Sequence, residues 1–168
     1  MIRTLRSCAF LFLVVVFMPS VKAQSPTDAI MMEKSQLCLA AFYTHDTWDE
    51  YWEGTLKRTN GNIGTLTRKS VMPMFAYGIT DRLNILAALP WMATEASGGQ
   101  MKGVSGIQDF SLWLKATALQ TTLGPGLLSI HAVVGGSIPA SDYLEDYAPF
   151  SLGLGCPEFS VRATPQYL

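Results

Sequence analysis

At 168 residues the chain has material for one domain and too little for two comfortable ones. Its 12 basic residues are nearly matched by 13 acidic ones, and no basic stripe of the kind that nucleic acid requires appears anywhere, so nucleic acid is excluded as a partner.

The first 24 residues read MIRTLRSCAFLFLVVVFMPSVKAQ. Arg3 and Arg6 form a basic start, Cys8 to Met18 an apolar run, Pro19 a break, and Val21-Lys22-Ala23 a small-residue site. These are the parts of a secretory signal peptide, residues 1–23, cut after Ala23. The apolar run is shorter than the about 20 residues that a bilayer-spanning helix needs. Cys8 precedes that run and so does not stand where a lipoprotein cysteine would. Taking Arg3, Arg6 and Lys22 from the 12 basic residues, against 13 acidic ones, leaves the exported chain at −4. Export also places Cys38 and Cys156 in a compartment where cysteines can pair, although two cysteines do not make a framework.

Beyond the signal peptide the dominant pattern is alternation with period two, the signature of strands. A first strand is expected near Leu37 to His45. In the next, Val71, Phe75, Tyr77 and Ile79 face one way and Ser70, Met72, Met74, Ala76 and Gly78 the other; Pro73 lacks a ladder donor and calls for an edge or a bulge. A tight turn at Thr80-Asp81-Arg82 leads to Leu83, Ile85, Ala87 and Leu89 on a shared face. From Ile107 to Leu119, Phe110, Leu112, Leu114, Ala116 and Ala118 oppose Asp109, Ser111, Lys115 and Thr117, with Trp113 an exception on the polar side. Leu128 to Ile138 repeats the scheme, with Ser129 and His131 on the polar side. Phe150, Leu152 and Leu154 oppose Ser151, Gly153 and Gly155, and Phe159, Val161 and Ala163 oppose Ser160, Arg162 and Thr164. That makes about seven strands.

Connections alternate between long (46–62, 91–106, 139–147) and short (80–82, 120–126, 156–158), as expected of an outer-membrane barrel with short periplasmic turns and long outer loops. Trp48, Tyr51, Trp52, Trp91, Tyr143 and Tyr147 lie in or beside the long loops, the place of an interfacial aromatic girdle. The sequence thus predicts an all-β, antiparallel up-and-down transmembrane barrel over 24–168, its apolar face towards lipid and its small, polar face towards a lumen. The even strand number of single-chain bacterial barrels does not accommodate seven. An odd count leaves Leu168 at the outer surface, and the ending ATPQYL lacks a terminal aromatic strand. The expectation is therefore a barrel incomplete at its C-terminus, the N-terminal part of a longer one.

No G-x-S-x-G, P-loop, H-E-x-x-H or C-x-x-C motif is present, so no catalytic, cofactor or metal site is expected. His45-Asp46 reads as a solvated pair. Asp109, Ser111, Lys115, Ser129, His131 and Arg162 are the candidate lumen-lining residues. Their charged members either set charge selectivity along a pore or form ion pairs that hold the wall rigid. Asn60 and Asn62, in RTNGNIG, are turn residues by type and candidates for the mouth. The glycine-rich loop SGGQMKGVSG either folds inward as a constriction or stays outside.

The blocks YWEGTLKRTNGNIGTLT (51–67), YGITDRLNILAALP (77–90), TEASGGQMKGVSGIQDFSLWLK (94–115), GSIPASDY (136–143) and FSLGLG (150–155), in that order, resemble the MetA-pathway of phenol degradation family. The resemblance implies an outer-membrane β-barrel, a transporter or channel for passive uptake of small, hydrophobic or aromatic molecules in a Gram-negative envelope. Its partners would be the lipid bilayer, the solute and the outer-membrane assembly machinery, with no cofactor. The family's members run longer than this chain, in keeping with the incomplete barrel expected above. Two alternatives stand beside this reading: a soluble periplasmic β-barrel that binds an apolar ligand, and a structural envelope barrel with a plugged lumen.

Overall fold

The computed structural model describes residues 24–168, so the signal peptide expected at 1–23 lies outside the described residues. The described chain is all-β: β1 (Leu37–Trp48), β2 (Glu50–Glu53), β3 (Leu56–Thr59), β4 (Leu66–Thr80), β5 (Leu83–Ala88), β6 (Trp91–Ala96), β7 (Ser105–Ile107), β8 (Asp109–Leu123), β9 (Gly126–Pro139) and β10 (Glu158–Tyr167). Eight of these strands form one antiparallel sheet, and β2 and β3 form a separate hairpin. β5 and β6 are successive parts of one pass, broken at Leu89–Pro90, and both pair with β4. β7 and β8 are likewise one pass, broken at Gln108, which pairs with β6 and β5. The eight strands therefore make an up-and-down meander of six passes: β1, β4, β5/β6, β7/β8, β9, β10. No closed barrel forms among the described residues, because β1 and β10 are both left as sheet edges.

Local chemistry explains the turns and irregularities. Asp81-Arg82 closes the β4–β5 hairpin, with Thr80 opposite Leu83. Gly124, at φ +61°, takes the first of two positions between β8 and β9, the glycine-first choice of a type II′ turn. Pro73 sits inside β4, where its carbonyl accepts from Leu89 N at 3.2 Å. The pass facing it is itself broken at Leu89–Pro90, so two prolines share one gap in the ladder. At Thr117/Leu119 a register shift lets Leu119 pair with Ile130. Ala118, expected on the apolar face, is instead the extra residue of this bulge, and Leu119 takes the apolar position.

Further sequence expectations are corrected. The alternating stretch Phe150–Gly155 is not a strand but part of one long connection, 140–157. Pro149 and Pro157 remove ladder donors at its ends, and Phe150 and Leu152 are buried by loop packing. The seven expected strands are thus six passes, and 156–158 is no separate turn. Leu168 consequently lies at the end that carries the short turns, where it exchanges backbone hydrogen bonds with Leu127 at 2.8 and 3.1 Å. The connection 97–104 is shorter than expected because β6 and β7 extend the strands on either side of it, whereas 49–65 keeps the expected length, shifted by three residues, and carries the β2–β3 hairpin.

The sheet is curved: Phe42 of β1 and Arg162 of β10, on opposite edges, line one cavity. On the convex face the register aligns Leu39, Phe75, Ala87, Leu112 and Gly136 rung by rung, and beside them Tyr77, Ile85, Leu114, Val134 and Val161. Leu39 is 74% exposed, Leu114 47% and Val161 67%. Apart from Ala87, the buried strand side chains lie on the concave face, where Met32, Ala76 and Leu86 form the core with Cys38 and Trp113 against them.

Candidate functional site

The concave face is where the polar strand positions converge. Asn84, Lys115, Val133 and Arg162 occupy one rung across β5, β8, β9 and β10. Thr117 and His131 form the next, with Thr117 Oγ1 3.2 Å from His131 Nδ1. Lys115 and Asn84 are fully buried, and Ser129 and His131 nearly so. Trp113, the exception in the polar pattern, faces Gly135 across the β8–β9 ladder. A Cβ on Gly135 would collide with the Trp113 indole ring, so this glycine makes room for the aromatic ring.

Residues 24–36 form a strap laid across this face. Lys115 Nζ donates to Asp28 Oδ1 at 2.6 Å and to the Ser25 carbonyl at 3.1 Å. Asn84 Nδ2 donates to Gln24 Oε1 at 3.2 Å and to the Met32 carbonyl at 3.3 Å. Gln24 Nε2 in turn donates to the Ile30 carbonyl at 2.8 Å. The strap leaves over Gly78, whose N–H donates to the Gln36 carbonyl and whose carbonyl accepts from Ser35 N at 2.7 Å. A Cβ on Gly78 would strike the Glu33 carbonyl, so only glycine admits the strap there. Burial pushes the Asp28 carboxyl up, but the Lys115 ammonium and the backbone amides of Ile30 and Ser25 outweigh it and hold the carboxyl below its ordinary value of 3.8. The strap is a feature that alternation cannot reveal. The one hint was a buried-side Lys115 with no acidic partner among the strands.

The remaining candidates divide between the cavity and the loops. Ser111 is half-buried on the concave face, and Arg162 lines the cavity. Asp109 accepts a hydrogen bond from the Tyr143 hydroxyl, which ties the loop 140–157 to β8. Burial first, and the Asp109 carboxylate second, push the Tyr143 phenol above its ordinary 10.0. Tyr147 bonds to both backbone groups of Lys102, and its ring lies 5.6 Å from that of Phe150. These two tyrosines therefore knit loops together. Trp91 is exposed on the convex face, Tyr51 and Trp52 are exposed on the β2–β3 hairpin, and Trp48 lies under the Arg68 guanidinium at 5.7 Å. Asn60 and Asn62 sit in the turn after β3, where the Asn60 carbonyl accepts from Gly64 N at 2.8 Å. Cys38 on β1 and Cys156 in the loop 140–157 are both free thiols.

A cavity of about 410 Å³ opens on the concave face. Its walls are Phe42, Met72, Met74, Trp113 and Val133, and its polar groups are Ser160, Arg162 and the strap residues Ser25 and Thr27. No metal-binding cluster of His, Cys, Asp or Glu occurs among the described residues. Comparison with protein-family models, curated proteins and solved structures finds no match for this chain.

Proposed function

We propose that this chain forms the strand-built wall of an outer-membrane conduit that admits small molecules by passive diffusion, with no chemical step. The observation that carries the reading is the segregation of side chains between the two faces. Across the middle of all six passes the convex positions hold only apolar residues and glycine, whereas Lys115, His131 and Arg162 point to the concave side. A water-soluble sheet of this curvature would be arranged the other way, with its apolar residues inside. Convex apolar positions run from Leu128 to Ile138 in β9, a length of about 33 Å at 3.3 Å per residue. Tilted by about 40°, that spans roughly the 25 Å apolar band of such barrels.

Nearer the loops the same face turns polar at His45, Lys69, Thr67 and Glu95, and Trp91 marks the change, as interfacial aromatics do. The resemblance to the MetA-pathway of phenol degradation family points the same way. In lipid both free edges must be paired, because orphan backbone groups there cost several kcal/mol each. β1 and β10 run antiparallel and suit either mutual pairing or pairing with further strands. The strap narrows the lumen and makes the conduit selective.

The test is flux. Mature chain folded into liposomes should pass small solutes and, in cells, should remain with washed outer membranes. Release with the periplasmic contents, and no flux, would favour a soluble ligand binder instead.

A further inference from the structure

The concave cavity holds a cation without a counter-ion. Lys115 is neutralised by Asp28 and Arg68 by Asp46 at 3.0 Å, but no carboxylate among the described residues pairs with Arg162. The nearest acid on its own strand face, Glu158, lies four residues away and accepts from Ser137 Oγ at 3.3 Å. Val133 separates Arg162 from Lys115 along their rung, so the two cations do not share a site. Arg162, exposed on the edge strand β10, therefore presents a forked donor to a chamber whose apolar walls include Phe42, Met72, Met74 and Trp113.

Thioethers and aromatic rings pack favourably against an aromatic ring, and a guanidinium binds a carboxylate through two parallel hydrogen bonds. The volume, about 410 Å³, is near the small end of ligand pockets, roughly 300–1,000 Å³. We infer that this cavity is a binding site for a small aromatic carboxylate, its ring against Phe42, Trp113 and the methionines and its anionic end on Arg162. Ser160, on the same face of β10, offers a further donor. The inference rests on the conduit reading for its biological meaning, but the site itself can be tested without flux.

Three probes of one shape and different charge separate the contributions: benzoate, benzamide and benzamidine. Binding is measured by calorimetry on the folded, detergent-extracted mature chain. Benzoate should bind most tightly and benzamidine least, with about tenfold between benzoate and benzamide, the low end for a hydrogen bond to a charged group. Arg162→Gln should erase the benzoate preference. Phe42→Ala, on an exposed edge strand, should weaken all three while keeping their order. Equal binding of the three probes, an order that survives Arg162→Gln, or no binding at all would overturn the site. A chain that binds in the expected order but passes no solute keeps the site and loses the conduit; one that conducts with no charge preference does the reverse.

Discussion

Lys115 is the side chain on which the concave face depends. It is fully buried, and its partner Asp28 is only 27% exposed, so removing the carboxylate strands a charge. Breaking a buried pair costs roughly 3–5 kcal/mol; Asp28→Ala belongs at the low end because water still reaches the carboxylate. The exposed pairs Lys57–Glu50 and Arg58–Glu53 on the β2–β3 hairpin should each be worth no more than about 1 kcal/mol, and urea midpoints of the single variants would show the contrast. Because the Asp28 carboxyl is held below its ordinary 3.8, its contribution is complete above that pH and disappears as pH falls through the lowered value. The strap should therefore sit equally firmly at pH 7 and pH 5 and loosen only in stronger acid. Urea midpoints at pH 7, 5 and 3 check this, and Ala76→Cys, beneath Met32, reports strap release at neutral pH in a chain whose native cysteines are replaced by serine. A charged thiol reagent should label it slowly at pH 7, and faster once Asp28→Ala is added. Gly78→Val, which places a side chain against the Glu33 carbonyl, should release the strap in the same assay.

Among the elements, β8 carries the facing assignment most sharply. Leu112 is 42% exposed on the convex face and Ser111 is half-buried on the concave one. Leu112→Arg should cost about 2–4 kcal/mol of folding stability in lipid if it lies at the midplane, and Ser111→Arg much less, by equilibrium unfolding from vesicles. The long loops behave as one unit, since Thr94 Oγ1 donates to the Phe150 carbonyl and Ser97 Oγ accepts from Thr65 N at 2.8 Å. Tyr143→Phe removes the tie to Asp109 and should raise protease cleavage within 140–157 without changing cleavage elsewhere. Alternation made β4, β5, β8, β9 and β10 legible from sequence, because one face of each is apolar through its middle. It misread Phe150–Gly155, where burial inside a loop produced the same period without a ladder. It also underestimated β1, whose last residues are polar on both faces, and overlooked β2 and β3, a polar hairpin held by Lys57–Glu50 and Arg58–Glu53. The strap lay beyond reach, since its anchors are isolated long-range contacts without a period, such as Lys115 with Asp28 across 87 residues of sequence and Asn84 with Gln24.

At the scale of the whole molecule the two faces make opposite demands on solvent. The concave side gathers the charged and hydrogen-bonding groups, covers them with the strap and leaves one chamber beside Arg162. The convex side exposes Leu39, Phe75, Leu112, Leu114, Val134 and Phe159 together, and contiguous exposed apolar surface of this kind marks an interaction or membrane-facing surface. In the conduit proposed above, hydrocarbon would satisfy both demands at once, with the edges β1 and β10 paired. The most direct measurement is quenching of tryptophan fluorescence by brominated lipid in two single-tryptophan chains, with Trp48, Trp52 and Trp91 replaced by phenylalanine. One keeps Trp113 on the concave face; the other carries Leu112→Trp with Trp113→Phe. The account predicts strong quenching at position 112 and little at 113, one residue apart on the same strand. Equal quenching at both, or none at 112, would contradict it.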